Sequence, residues 1–196
     1  SVALSHERII PKLSAFQHLH PDLTLDLQTS DANLDLVENN IDLAIRLAPS
    51  PSGDLISSRL VSTHYNAVAS PAYLREYGTP DSPTQLTGHN CLTFALQGME
   101  SIWHFRRPGH AVQSINVSGN LKISNALALR QATRCGLGIA LLADWTIERD
   151  VADGRLVPLF SNYEAALTSF DTAAWALYPS RKYLPRKVRA MLAFLK

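Results

Sequence analysis

The sequence predicts an α/β fold, and three features of the 196-residue chain indicate it. Segments that alternate like strands are separated by segments with helical spacing through the first third of the chain. Ser-Pro pairs and closing glycines are typical of helix starts and ends. The middle of the chain has shorter strands and a different rhythm, which is compatible with two regions. No apolar run approaches the roughly 18 residues of a membrane span.

The first third of the chain is predicted to contain a βαβ unit. A half-buried strand over Leu23–Leu27 is followed by a short helix with candidate caps at Ser30 and Asp31, and then by a strand over Ile41–Leu47. Such a short crossover implies a parallel sheet. The residues before this unit are predicted to form a strand end at Val2–Leu4 and an amphipathic helix that begins near Ile9 and ends before Pro21.

The later elements follow cap and turn signals. Ser70-Pro71 predicts a helix that Gly78 ends, and Ser124-Asn125 predicts another that ends at Gly136. The other predicted elements are strands at Leu55–Leu60, Tyr65–Ala69, Leu92–Ala95, Ile102–Phe105, Ile115–Leu121, Ile139–Leu142, Leu156–Phe160 and Ala173–Tyr178, one helical turn at Ser82-Pro83, a helix from Asp144 to Gly154, an irregular stretch over Asn162–Asp171 and a closing helix after Pro185.

The charge balance argues against direct DNA binding. The chain carries 18 Lys+Arg against 17 Asp+Glu, whereas a domain that holds DNA phosphates carries a clear basic excess. A local basic run over Arg181–Arg189 is better explained as the solvated face of the last helix.

No motif for catalysis, a cofactor or a metal emerges from the sequence. The Gly-x-Ser-x-Gly turn of hydrolases is missing, and Gly136-Leu137-Gly138 follows a helix instead of opening one, as a phosphate site requires. The seven histidines form no Cys/His cluster of zinc type. Cys91 and Cys135 are too few for a disulfide scaffold, which favours a reducing, cytoplasmic compartment. Redox sensing by these cysteines is an alternative to the more common role of a free cysteine as a small core residue.

Four predicted helix starts follow predicted strands. They lie at Ser5, Ser30-Asp31, Ser70-Pro71 and Ser124-Asn125. Helix N-termini attract anions, and ligands of open α/β sheets bind beyond the carboxyl ends of the strands. Each start alone is more often structural, but four together make a small-molecule cleft plausible.

Several segments resemble the effector-binding domain of bacterial LysR-type transcriptional regulators, in the order of that family and over nearly the whole chain. They are Ile9-Ile10-Pro11-Lys12-Leu13, His20-Pro21-Asp22-Leu23, Asp35-Leu36-Val37-Glu38, Ile41-Asp42-Leu43-Ala44-Ile45-Arg46, Ser70-Pro71-Ala72-Tyr73-Leu74, Gly136-Leu137-Gly138-Ile139-Ala140-Leu141-Leu142, Tyr178-Pro179-Ser180-Arg181 and Val188-Arg189-Ala190.

The resemblance implies a fold similar to type 2 periplasmic binding proteins. Two Rossmann-like lobes with mixed sheets are joined by two crossover strands, with a cleft between them. Lobe I would be residues 1–69 and 168–196, and lobe II residues 70–167. A helix-turn-helix DNA-binding domain would precede Ser1.

The resemblance also implies effector-binding residues, which are Ala3, Ser5, Ser30, Asp31, Arg46, Ser70, Phe94, Asn125 and Gly138. The family often has a hydroxyl residue where Ala3 stands, so either Ser5 supplies it or the effector lacks that contact. Arg46 is the cation expected to meet a carboxylate, and a salt bridge with a nearby acid is an equal alternative.

The implied partners are a small effector, often an organic acid or an aromatic compound, and further copies of the chain. In the family, helices that correspond to residues 10–19 and 127–135 pack against each other between subunits of a dimer or tetramer. A solute-binding protein of a transporter is the alternative with the same fold, and an enzyme on this fold is disfavoured for want of a catalytic motif.

Overall fold

The computed structural model describes residues 1–32, 34–49, 55–96, 101–179 and 184–196. Its elements in chain order are α1 (Val2–Leu4), a π-helical turn (Ser5–Ile9), α2 (Ile10–Leu19), β1 (Ala44–Ala48), β2 (Leu55–Ser62), β3 (Tyr65–Ala69), α3 (Pro71–Tyr77), a 3-10 helix (Pro83–Gly88), β4 (Cys91–Phe94), β5 (Ile102–Arg106), β6 (Gln113–Asn116), β7 (Lys122–Ile123), α4 (Ala126–Arg134), β8 (Ile139–Ala143), α5 (Asp144–Ala152), β9 (Val157–Leu159), β10 (Glu164–Ala166), β11 (Ala173–Pro179) and α6 (Arg186–Leu195). Ser180, Arg181 and Lys182 of the terminal motif and basic run lie outside the described residues.

The chain divides into two compact units, so that it passes twice from one to the other. The first unit comprises Ser1–Thr63 and Asp171–Lys196, and the second comprises His64–Phe170. The predicted lobe boundary differs in one strand, because the sequence assigns β3 to lobe I. β3 pairs with β8, β9 and β10, and it therefore lies in the sheet of the second unit.

The first unit contains a three-stranded sheet in the order β1-β11-β2, and both pairs are antiparallel. The predicted parallel βαβ unit is therefore wrong. Within the described residues, Leu23–Leu27 pairs with no strand, and residues 36–40 form turns instead of a helix. A segment of alternating residues forms a strand only where a neighbouring backbone segment accepts and donates its hydrogen bonds. The described part of this unit has no such neighbour beside Leu23–Leu27.

The first helical segment begins earlier than predicted. Val2–Leu4 is helical and not a strand, and the helix continues through the π-helical turn Ser5–Ile9 into α2. The Pro11 ring has no N–H to donate. The turn before it is wider, with the Ile10 N–H bonded to the Ser5 carbonyl, and this lets the helix run through the proline.

One core cluster of the first unit lies between α6 and the sheet. α6 places Val188 and Leu192 against Ala176 of β11. Phe16 of α2 meets Phe194 of α6 edge to face, with ring centroids 5.2 Å apart. The buried ring of Phe16 and the half-buried ring of Phe194 thereby join the two helices.

The second unit contains an eight-stranded mixed sheet in the order β6-β5-β10-β3-β8-β4-β7, with β9 also paired to β3. β4 runs parallel to β7 and β8, and the other pairs are antiparallel. All five residues of β8 are buried, and the first four alternate between two core clusters. The centre of this sheet is therefore covered on both faces.

Four of the predicted helices are confirmed as α3, α4, α5 and α6. The predicted strand over Ile115–Leu121 is instead two strands, β6 and β7, because the turn-forming residues 118–120 interrupt it. The stretch predicted as irregular contains β10. Across the described ranges, no helix is long and apolar enough to span a membrane.

Candidate functional site

In the first unit, the start of the first helix meets the segment that contains Ser30 and Asp31. Asp31 Oδ1 accepts hydrogen bonds from the Val2 N–H at 3.0 Å and from Ser1 Oγ at 3.1 Å. Ser30 Oγ accepts from the Ala32 N–H at 3.0 Å, as in a local serine turn. Asp31 therefore caps α1, which precedes it in the chain, and not a helix that follows it.

Ala3 and Ser5 belong to the same helical segment, and both are buried, at 0% and 9% exposed. Residues two positions apart on a helix point to different sides. The Ser5 hydroxyl therefore points to a different side of the helix from Ala3. This argues against Ser5 as a substitute for the hydroxyl residue that the family often has at the position of Ala3. Little of either side chain is exposed for a ligand.

Arg46 is half-buried on β1, and its guanidinium Nη2 donates to the Leu34 carbonyl. Among the described residues, no carboxylate forms an ion pair with Arg46, so the salt-bridge alternative is not what the structure shows. Burial lowers the pKa of the Ser1 amino group, Asp31 raises it, and Arg46 lowers it. Arg46 and Asp31 therefore share one neighbourhood at the start of the first helix.

Sequence reasoning missed two neighbours of Arg46. Trp175 on β11 is the direct cross-strand partner of Arg46, and Arg59 on β2 is the partner of Trp175 on its other side. A β-bulge lies between Ala174 and Trp175. The signal in the sequence is the lone indole in the Ala-rich strand Ala173–Pro179, but only the register connects it with the two arginines.

In the second unit, Phe94 and Asn125 lie at the same edge of the sheet. Phe94 ends β4 and is the register partner of Ile123, which ends the parallel strand β7. Asn125 Oδ1 then accepts hydrogen bonds from the N–H groups of Leu127 and Ala128 at 3.0 and 3.1 Å, and so caps α4. A half-buried ring and a capped helix start therefore lie at the same end of the parallel strands β4 and β7.

Ser70 and Gly138 lie at the opposite end of that sheet. β3 runs antiparallel to β8, with Val68 opposite Ala140, so Ser70 follows the end of β3 next to the beginning of β8. Ser70 is 2% exposed, and its Oγ accepts from the Tyr73 N–H at 3.2 Å. The structure therefore does not bring Ser70 and Gly138 together with Asn125, and both have packing roles where they stand.

The start of α5 shares the edge of Phe94 and Asn125, because β8 runs parallel to β4. Within the described residues, Trp145 Nε1 and Thr146 Oγ1 are buried without a hydrogen-bond partner. Tyr65 pairs with Ala143 at this edge, and burial, together with the Asp144 carboxylate, raises its pKa to about 12. Sequence reasoning missed these residues, since an Asp at a helix start is common and carries little signal.

Neither cysteine forms a disulfide. Cys91 is buried, and burial raises the pKa of its thiol to about 12, whereas Cys135 is exposed. In the described ranges, no group of three or more His, Cys, Asp or Glu residues is arranged to hold a metal ion.

By their folds, the two units make up a mixed α/β domain with polar side chains at the ends of several strands. The LysR substrate binding domain family matches the chain over residues 1–196. The chain belongs to this family, and its fold is the periplasmic-binding-protein-like fold of LysR regulatory domains.

Two relatives show the extent of the similarity. The chain is 30% identical over 187 residues to the probable HTH-type transcriptional regulator LtrA of Klebsiella pneumoniae, covering 95% of this chain and 60% of the relative. It is 31% identical over 189 residues to the HTH-type transcriptional regulator CrgA of Neisseria meningitidis, covering 95% and 61%. The chain therefore spans about three fifths of the length of these relatives.

Solved structures agree with the assignment. The structure of CrgA from Neisseria meningitidis superposes with a TM-score of 0.84 at 28% identity, covering 100% of this chain and 65% of that chain. The full-length structure of the virulence activator AphB from Vibrio cholerae gives a TM-score of 0.82 at 25% identity, covering 98% and 64%. The predicted fold class and family are confirmed, and transcription regulation is favoured over the transporter alternative.

Proposed function

We propose that this chain is the effector-binding and oligomerisation domain of a LysR-type bacterial transcriptional regulator that works in the cytoplasm. A small metabolite binds to it and shifts the geometry of a dimer or tetramer on DNA, which another part of the regulator contacts. Support comes from the family match over residues 1–196 and from relatives that are named as HTH-type transcriptional regulators. The near-neutral charge agrees with DNA contact through a different domain.

The environment of Arg46 is the observation that carries the effector-binding proposal. Its guanidinium is half-buried and bonds to a neutral carbonyl, that of Leu34. A planar guanidinium in this setting matches the bidentate geometry of a carboxylate. The proposed effector is therefore an anion, and Arg46 meets its acidic group.

A thermal-shift screen of small organic acids and neutral aromatic compounds tests this proposal. Hits are then titrated by calorimetry against the unmodified chain and Arg46→Gln. We expect Arg46→Gln to weaken an acidic hit by about 10- to 100-fold, because a hydrogen bond to a charged group contributes about 1.5–3 kcal/mol. A neutral hit should bind within about threefold of its original affinity.

The matched control is Arg75→Gln, which removes an exposed arginine from α3 in the second unit. It should change no affinity, although it alters the net charge by the same amount. An equal loss for acidic and neutral hits in Arg46→Gln would contradict the role of Arg46. Binding of no acid or aromatic compound would contradict effector binding itself.

Oligomerisation through helices at residues 10–19 and 127–135 is the second part of the proposal. α2 exposes Ile10 at 46% and Leu19 at 67%, which is unusual for large apolar side chains of a helix and suits a partner surface. Light scattering should show a dimer or larger species, and Leu19→Lys should shift it toward the monomer. Tyr77→Lys, which alters an apolar residue 58% exposed on α3, is the control and should leave the assembly unchanged.

A strict monomer at high concentration would contradict oligomerisation by this chain. Monomeric behaviour together with tight binding of a small solute would instead favour the transporter alternative.

A further inference from the structure

The helix α6 lies across the sheet of the first unit, so that its two flanks face different strands. Its buried residues Val188 and Leu192 pack against Ala176 of β11, the central strand. On one flank, the Lys187 ammonium forms an ion pair with the carboxylate of Asp42, which lies two residues before β1. Because β11 lies between β1 and β2, the other flank of α6 is on the β2 side.

This second flank of α6 carries positive charge without a partner. Successive residues of a helix are turned by about 100°, so Arg189 lies about 200° around the helix from Lys187. Arg186 lies one turn before Arg189 and next to it on the helix surface. Both arginines are exposed, and neither forms an ion pair within the described part of the chain. The flank of α6 on the β2 side therefore presents two guanidinium groups to solvent.

The strand β2 adds exposed apolar side chains beside these arginines. Ile56 is the register partner of Tyr178, and Val61 is the partner of Ala174, both on the face of β11 that α6 covers. The two β2 residues share this face although they are five positions apart, because β2 has one extra residue between them at the bulge. Ile56 is 41% exposed and Val61 is 54% exposed. The basic strip is defined here as Arg186, Arg189, Ile56 and Val61.

On the β1 side, residues 35–40 form a turn with the opposite charge, which we call the acidic knob. Asp35 Oδ1 accepts hydrogen bonds from the N–H groups of Val37 and Glu38 at 2.8 and 2.9 Å. The buried Leu36 anchors the turn, and its carbonyl accepts from the Ile41 N–H at 2.8 Å. Val37 is 69% exposed, and the exposed Glu38 forms no ion pair with any described residue. The turn is held in shape while its acidic and apolar side chains face solvent.

The acidic knob and the basic strip lie at opposite edges of one sheet. The knob leads through Asp42 into β1, whereas the strip belongs to β2 and to the flank of α6 beside it. The two surfaces therefore do not meet within one copy of the chain. They are complementary between two copies, since each combines two charges of one sign with exposed aliphatic side chains. In both surfaces the charged residues are three positions apart in a helical or turn segment, which gives them a similar spacing.

We infer that the basic strip of one copy binds the acidic knob of a second copy, head to tail. The exposed valine of the knob lies against the two aliphatic residues of the strip, and the knob carboxylates pair with the two guanidinium groups. This contact goes beyond the proposed assembly through α2 and α4, because it uses other surfaces of the first unit. It is smaller than a stable interface, so it acts between copies that a dimer or tetramer already holds close together.

The test measures association of the full 196-residue chain by sedimentation velocity, up to millimolar concentration. Arg189→Glu and Glu38→Lys each turn an attractive pair into a repulsive one, and we expect each to weaken association roughly 5- to 10-fold. Val37→Ser removes the apolar contact and should weaken it by a similar factor. Raising the salt from about 50 mM to about 500 mM should also weaken association, because exposed charges are then screened.

Mixing the two charge variants distinguishes a head-to-tail contact from a general effect of charge. In an equimolar mixture, the unchanged knob of Arg189→Glu meets the unchanged strip of Glu38→Lys, so association should return. A chain that carries both reversals should also associate, because the pair is restored with opposite signs. Recovery in the mixture shows in addition that both variants are folded. The matched controls are Arg75→Glu and Glu76→Lys, which reverse exposed charges on α3 and should not weaken association.

Two results would overturn the inference. One is association that both reversals leave unchanged, which would leave the basic strip to an acidic partner other than a second copy. The other is a mixture of the two variants that associates no better than each variant alone. If Leu19→Lys on α2 abolishes assembly while the reversals do not affect it, the proposed function stands and this inference fails. A chain that stays monomeric at every concentration contradicts both.

Discussion

Replacing Gly138 by alanine tests whether this glycine is required for packing. A Cβ atom at Gly138 would lie 2.4 Å from the Asn90 carbonyl oxygen, and 3.0 Å from two side-chain carbons of Leu92. Real Cβ contacts below 3.0 Å are essentially never seen, so the oxygen must move away by about 0.6 Å. The same oxygen accepts the hydrogen bond of the Ile139 N–H at 2.9 Å, which joins β4 to β8.

The loss of stability follows from these contacts. Moving the Asn90 oxygen stretches its bond to the Ile139 N–H beyond ordinary hydrogen-bond length, at a cost of about 1 kcal/mol. Overpacking of a core adds roughly 1–3 kcal/mol. The lower entropy of the unfolded alanine chain offsets about 0.4–1 kcal/mol. We expect Gly138→Ala to lower the free energy of unfolding by about 2 kcal/mol and the melting temperature by roughly 4–8 °C.

The assay is thermal and urea unfolding of Gly138→Ala beside Gly88→Ala. A Cβ at Gly88 meets nothing within 4 Å, and its backbone does not require glycine, so Gly88→Ala should melt close to the unmodified chain. Affinity for any effector, measured below the melting range, should stay the same in both variants. A Gly138→Ala variant that melts within about 1 °C of Gly88→Ala would refute the packing argument.

Four further predictions concern a helix cap, a buried charge and the two thiols. Asn125→Ala should lower unfolding free energy by about 1 kcal/mol in urea unfolding, whereas Asn125→Asp keeps the two capping bonds and should cost less. Asp150 is buried among the guanidinium groups of three arginines, so Asp150→Asn should lower the free energy of unfolding by about 3 kcal/mol or more. The control Asp153→Asn, at an exposed ion pair, should lower it by less than about 1 kcal/mol. Equal losses in the two variants would contradict this. A thiol reagent should label Cys135 in the folded chain and Cys91 only in denaturant. The unfolded Cys91 thiol loses its proton near pH 9 and the folded one near pH 12, so the unfolded state binds fewer protons in between, and stability should fall across that range.

Local signals in the sequence predicted the starts of α3 and α4, although the helix expected after Ser30-Asp31 does not form. Ser70 and Asn125 both cap helices through hydrogen bonds to N–H groups two or three residues ahead. Gly78 ends its helix with a φ of +84°, a conformation that glycine adopts without strain. Such features depend on a few consecutive residues, and these are what a sequence displays directly.

Local signals in the sequence could not predict which distant segments pair in the sheets. Leu23–Leu27 has the alternation of a strand, but alternation describes one face and does not say which backbone lies beside it. The strands that do form the first sheet come from residues 44–48, 55–62 and 173–179. The closing strand β11 is inserted between two early ones, and a βαβ prediction from neighbouring segments misses this order.

The positions of the candidate site residues also depend on strand pairing that the sequence does not display. Ser70 and Asn125 have the same local signal, a capped helix after a strand, yet they lie at opposite ends of one sheet because β3 and β7 run in opposite directions. A motif therefore identifies a helix start, and strand direction decides which edge it faces. Trp175 shows the converse, since no motif marks it and the register alone places it between Arg46 and Arg59. The charge of Arg46 could be proposed from the sequence, whereas the aromatic surface beside it depends on three strands far apart in the chain.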